Sequence, residues 1–153
     1  MNLSKLILLF LVINFGALFI GSLLMNNGPQ TSWYTNLNQA PWTPAGWVFG
    51  VAWTSIMICF SVYMAYLVNE NGFKSIAALF SIQFVLNVIW NYVFFNLHLT
   101  SIGLIVIALL TLVVFYFLIR YYTTLKLKSL LILPYFIWLI IATSLNFYIV
   151  FNN

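Results

Sequence analysis

Charge is what this sequence has least of. Of its 153 residues 4% are charged, five Lys/Arg against one Asp/Glu. A soluble domain carries about a quarter charged residues, so neither a water-facing globular surface nor a disordered, highly charged chain fits. The five basic residues are scattered and make no patch, which excludes a nucleic-acid footprint. One cysteine, Cys59, excludes an intrachain disulfide. One histidine, His98, and one carboxylate, Glu70, are too few for a protein-built metal site or a carboxylate dyad. No resident metal and no required cofactor are therefore expected. What is abundant is apolar: 65% of the chain is hydrophobic and 20% aromatic. That composition belongs to a small polytopic membrane protein.

The few charges divide the chain. Residues 6–69, 75–119 and 129–153 are uncharged runs. A membrane helix needs roughly 20 apolar residues to cross about 30 Å of hydrocarbon, so the first two runs each hold a pair of spans and the last holds one. Asn26-Asn27-Gly28-Pro29-Gln30-Thr31-Ser32 breaks the first run with turn formers, and Asn96-Leu97-His98-Leu99-Thr100-Ser101 breaks the second. The expected architecture is an all-α integral membrane protein, a single five-helix bundle over 1–153. Its spans are predicted at about 6–25, 47–68, 75–97, 101–119 and 129–151, with a long outer loop at about 27–46. Lys5 before the first span resembles the start of a signal peptide, but the apolar run is long and lacks a small-x-small cleavage site, so a retained helix is expected.

Five spans put Lys5, Lys74, Arg120, Lys126 and Lys128 on one side and no Lys or Arg on the other. The positive-inside rule then predicts a cytoplasmic N-terminus and an external C-terminus. Nothing resembles a transit peptide, which suits a bacterial cytoplasmic membrane. No charge lies deep in a span, which argues against an ion-coupled pump.

Polar and aromatic residues inside the spans carry the remaining information. Gln83, Asn87, Trp90 and Asn91 share a face of the third helix, as do Pro134, Trp138, Ala142 and Asn146 on the fifth. The second helix presents Phe49, Trp53, Met57 and Phe60, and the first Asn14, Ala17 and Gly21. The fourth has little that is polar beyond Thr111 and is expected at the periphery. At about 1.5 Å rise per residue, Trp53 and Asn91 lie roughly 9 Å below the outer surface, Ala142 about 13 Å and Asn87 about 15 Å. These groups converge in the outer half of the membrane, under a loop containing Trp33, Tyr34, Pro41, Trp42 and Pro44. A stiffened lid over an outward-opening aromatic pocket is expected. The plainer alternative for the Asn/Gln face is interhelical bonding, at about 0.6–2 kcal/mol each. For the loop tryptophans and Trp47 it is an interfacial belt. His98 reads as a surface residue and Cys59 as core filler. The pairs Ala17/Gly21, Gly46/Gly50 and Ala77/Ser81 permit close helix contact, within the bundle or across a homodimer.

Three stretches carry a resemblance. WYTNLNQAPWTPAGWVFGVAWT (Trp33–Thr54), QFVLNVIWNYVFF (Gln83–Phe95) and PYFIWLIIATSLNFYIVFNN (Pro134–Asn153) together resemble the TspO/MBR family of tryptophan-rich sensory proteins, relatives of the mitochondrial translocator protein or peripheral benzodiazepine receptor. The resemblance implies a five-helix membrane protein that binds porphyrins and other tetrapyrroles, sterols in some members, and benzodiazepine-type drugs. It implies a ligand pocket at Tyr34, Pro44 and Trp53, at Asn87, Trp90 and Asn91, and at Trp138, Ala142 and Leu145; Phe49 joins them from its helix face. Trp42-Thr43-Pro44-Ala45 stands where the family has Trp-x-Pro-Pro, and no basic residue follows Tyr148, where the sterol-recognition segment of animal members has one.

Three functions follow as expectations. The first is a binding protein, or transporter, for porphyrin-like ligands, with the lipid bilayer as its other partner. The second is light-dependent porphyrin breakdown with Trp53 or Trp138 as electron donor; no other catalytic constellation exists in the sequence. The third is a ligand-responsive sensor docking a partner through its basic segments, which serve equally as topology signals and anionic-lipid contacts.

Overall fold

The computed structural model describes residues 2–153, and among them every regular element is helical. Asn2 caps the first helix, α1 (Leu3–Leu24), by accepting the Lys5 N–H at 3.0 Å. A 3₁₀ turn (Gly28–Gln30) and a one-turn helix, α2 (Ser32–Thr35), follow within the long loop. Then come α3 (Gly46–Asn71) and α4 (Phe73–Asn91), which runs on as a π-helical turn over Tyr92–Asn96. Next are α5 (Thr100–Leu125), a 3₁₀ segment over Lys126–Ile132, and α6 (Leu133–Asn152) with Pro134 in its first turn, where a missing N–H costs nothing.

Four continuous helical stretches are long and apolar enough to cross a bilayer: Leu3–Gln30, Gly46–Asn71, Phe73–Asn96 and Thr100–Asn152. The last, of 53 residues, is a hairpin rather than one rod. The Thr111 and Thr143 hydroxyls meet at 3.0 Å, and the Phe115 and Phe136 rings stack with centroids 5.3 Å apart, which antiparallel α5 and α6 alone allow.

Helix packing here cannot lean on charge, and hydrophobicity gives little preference for a neighbouring helix over lipid. Shape and single polar ties decide instead. Asn14 donates to Ser61 Oγ at 2.9 Å, joining α1 to α3, and Tyr63 donates to the Phe117 carbonyl at 3.0 Å, joining α3 to α5. Gln83 Nε2 donates to the Tyr135 hydroxyl at 2.8 Å, joining α4 to α6. Around these ties Phe10, Phe60, Tyr63, Phe117 and Tyr135 form a fully buried aromatic core. Its rings meet mostly edge-to-face, such as Phe60 on Tyr135 at 5.1 Å and 70°.

The small-residue pairs divide in the structure. A Cβ on Gly21 would lie 2.7 Å from Asn91 Nδ2, so Gly21 lets α1 and α4 close on each other. Gly50 has nothing within 4 Å of that position, and Ser81 is exposed. The fourth long helix, α5, stands at the edge of the bundle, with Ile105, Leu112 and Ile119 on its outer face more than half exposed. α5 packs against both α4 and α6 and buries Ile107, Leu110, Val114 and Phe117. Shape fixes this inner face together with the two polar ties at Thr111 and at the Phe117 carbonyl.

Candidate ligand cavity beneath the first loop

The loop is held by its own turn chemistry. Asn26 and Asn27 sit at φ of 47° and 56°, the left-handed region that asparagine tolerates, and they reverse the chain after α1. Asn96 Nδ2 donates to the last carbonyl of α1, Leu24, at 3.1 Å. Thr31 caps α2, accepting the Tyr34 N–H at 3.4 Å. Farther along, the loop is fastened to α6. The Asn38 N–H donates to Asn153 Oδ1 at 2.7 Å, Asn153 Nδ2 donates back to the Asn38 carbonyl at 3.2 Å, and Trp42 Nε1 donates to Ser144 Oγ at 3.1 Å. Trp33 lies flat on the His98 ring, with centroids 4.0 Å apart and planes 11° from parallel, and meets Phe94 edge-on. The surface histidine of the sequence reading is thus a backstop for the loop.

Under this loop lies a cavity of about 350 Å³. α3 contributes Phe49 and Trp53 to its wall, α4 contributes Trp90 and Asn91, and α6 contributes Ala142 and Leu145. Tyr34 and Pro44 come from the loop above. Eight of the ten residues named from the sequence therefore meet around one space. The other two stand behind it. Trp138 is 7% exposed and packs edge-on against Phe49 at 5.3 Å, one ring removed from the cavity. Asn87 is buried a turn below Asn91, and its carbonyl accepts the Asn91 Nδ2–H at 3.1 Å.

The wall also includes residues outside those ten. Phe94 and Phe95 lie one turn beyond Trp90 and Asn91, so extending that face by four residues would have found them. The π turn carries them, with the Leu97 N–H donating to the Tyr92 carbonyl at 2.9 Å; such turns re-aim side chains and recur at functional sites. Asn146 stands on the α6 face already read, four residues after Ala142. Gln39 and Thr43 come from irregular backbone and Pro29 from the short 3₁₀ turn, where no periodicity announces them.

The lining bears no charged side chain, no histidine and no cysteine. Its hydrogen-bonding groups are partly committed. Trp90 Nε1 donates to Asn146 Oδ1 at 3.3 Å, Asn146 Nδ2 donates to the Ala142 carbonyl at 3.2 Å, and Gln39 Nε2 donates to the Tyr34 carbonyl at 3.1 Å. Asn91 Oδ1 and the Tyr34 hydroxyl have no partner among the described residues and are free to orient a ligand. Burial pushes the Tyr34 phenol up from its ordinary pKa, so it stays a neutral donor well past neutral pH. Among the described residues no three His, Cys, Asp or Glu side chains come together as a metal site would require. The arrangement can stack a flat apolar molecule and give it one or two hydrogen bonds.

A family model, TspO/MBR family, matches residues 7–151. The chain belongs to the TspO/MBR family. It is 36% identical to the tryptophan-rich protein TspO of Archaeoglobus fulgidus, over 100% of this chain and 99% of that one. It is 34% identical to protein CrtK of Rhodobacter capsulatus over 76% of this chain and 75% of that one. The translocator protein of Homo sapiens is 29% identical over 84% of this chain and 79% of its own. TspO/MBR membership together with the apolar helices makes this a membrane protein of the sensor or binding type.

Proposed function

We propose that the chain crosses the membrane five times, with its basic end cytoplasmic, and binds tetrapyrrole-like ligands in the cavity under the first loop. One observation carries the reading: an uncharged cavity walled by Phe49, Trp53, Trp90, Phe94 and Phe95 and roofed by a fastened loop. Flat apolar rings gain most from such walls, through area and edge or face contacts. A macrocycle's carboxylates find no cation in the lining, so they point out of the cavity towards water. The lining holds no histidine or cysteine to ligate iron, and His98 is stacked behind Trp33, so a metal-free porphyrin is held at least as well as haem. The same walls accept smaller benzodiazepine-type drugs. At about 350 Å³ the cavity sits at the low end of ligand sites, about 300–1,000 Å³, so a tetrapyrrole enters with displacement of the loop. That displacement is what a transporter or a sensor would use.

Titration of detergent-solubilised protein with protoporphyrin, read by tryptophan quenching, tests the site. Saturable binding is expected, weakened about three- to ten-fold by Trp53→Phe through loss of aromatic contact. Non-saturable quenching indifferent to this change would mean partition into micelles and would end the proposal.

The position of Trp53 in the wall favours a second reading, electron donation from tryptophan to a photoexcited porphyrin. Because Trp138 lies one ring behind Phe49, light-driven bleaching is expected to fall more in Trp53→Phe than in Trp138→Phe. Bleaching equal to wild type in the double variant would remove this reading.

A further inference from the structure

The opposite end of the molecule carries a charge problem that the protein does not solve itself. Its five Lys/Arg residues face a single acidic side chain, Glu70. Lys128 takes that partner, with Nζ 3.9 Å from Glu70 Oε1, and also lies 4.3 Å above the Tyr66 ring. Arg120 rests over the Tyr121 ring at 5.5 Å. Lys126 makes neither an ion pair nor a ring contact among the described residues, and it is exposed.

Lys126 is also strained. It stands at φ 49° and ψ −118° where α5 gives way to the 3₁₀ segment that it begins, a region where glycine is at ease and a side chain is not. A glycine there would make the same corner without strain, so stability does not explain the lysine. Beside it lies a shallow groove of about 390 Å³, lined by Tyr122, Thr123, Lys126, Leu127 and Leu130. Leu127 is 78% exposed, and Tyr122 and Leu130 are more than half exposed. An apolar floor with a tyrosine and one uncommitted cation at its rim matches the headgroup region of a bilayer, where acyl chain and phosphate adjoin. A soluble anion would leave the leucines in water.

We propose that this groove binds one anionic phospholipid, its phosphate on Lys126 and its upper acyl chain along Leu127 and Leu130. Charge complementarity selects the occupant, since the protein supplies no counter-anion at this corner. The groove shares no lining residue with the ligand cavity and stands independently of what that cavity binds.

The test is native mass spectrometry of the whole protein, released from detergent with equimolar phosphatidylglycerol and phosphatidylcholine. Wild type is expected to retain the anionic lipid about five-fold over the neutral one. Lys126→Gln and Lys126→Gly should both remove that preference, while Lys74→Gln keeps it. Lys126→Gly should at the same time raise the thermal midpoint by relaxing the backbone, so that stability and lipid selectivity move in opposite directions. The proposal is overturned by full selectivity in either Lys126 variant, by an equal loss in Lys74→Gln, or by displacement of the lipid with millimolar inorganic phosphate.

Discussion

Ala142→Phe is expected to weaken protoporphyrin binding by about ten- to a hundred-fold while leaving the helical content unchanged. Ala142 sits on α6 with 7% of its surface exposed, and that remnant faces the cavity. Its carbonyl accepts the Asn146 Nδ2–H, which fixes the local backbone and denies a larger side chain an easy escape. A phenyl ring there projects into a space walled by Trp53 on α3 and Trp90 on α4, and a cavity of about 350 Å³ has no room for both ring and ligand. Overpacking costs about 1–3 kcal/mol where neighbours must shift, and the bound state bears it because the empty cavity can take up the ring. Ile140→Phe, two residues away on a half-exposed position of the same helix, is the matched control and should bind as wild type. Wild-type affinity in Ala142→Phe would place the ligand elsewhere on the molecule.

Much of this site is legible in the sequence because the membrane simplifies the problem. With so few charges, Lys5, Glu70, Lys74, Arg120 and Lys128 punctuate the helices, and the five long helices lie where the uncharged runs lie. The ends are less legible. α5 continues past Arg120 to Leu125, because an interfacial arginine can extend its stem along the helix, over Tyr121, without ending it. The turn before α6 starts at Lys126 as 3₁₀ rather than as helix at 129, since nothing in Lys-Leu-Lys-Ser announces a strained corner.

Inside the bundle, spacing gave the face but not the depth from the wall. Asn87 and Asn91 are one turn apart, yet Asn91 lines the cavity and Asn87 is buried behind it. Trp138 shares a face with Ala142, but Phe49 stands in front of it. A side chain's neighbour on the next helix decides such cases, and one helix's periodicity contains no record of that neighbour. The loop is the extreme case. Asn38 and Asn153 bond across 115 positions of chain, a pairing that no local pattern encodes.

Gly28→Ala is expected to destabilise the protein by about 1–3 kcal/mol and to loosen the roof of the cavity. Gly28 is buried at the start of the 3₁₀ turn, and an added Cβ would fall 2.5 Å from the Cβ, Cγ and Cδ1 atoms of Phe95. Rotating the phenylalanine relieves only the ring atoms. Its Cβ is fixed by the π-turn backbone, so the loop itself must lift. Phe95→Ala therefore does not rescue the variant, whereas Phe95→Gly does in part. Gly21→Ala provides the contrast. Its nearest neighbour, Asn91 Nδ2 at 2.7 Å, is the end of a side chain that can swing into the cavity, so stability should change little while the cavity's polar group moves. Pro29 and Phe95 both line the cavity, and Tyr34 packs on Phe95 at 5.3 Å, so lifting Gly28 opens the ligand's exit as well as weakening the fold. Thermal unfolding in detergent, with hydrogen exchange followed over residues 31–44, reads both effects. A midpoint and exchange rates equal to wild type in Gly28→Ala would show that the loop does not rest on Phe95, and that the roof is held by its α6 fastenings alone.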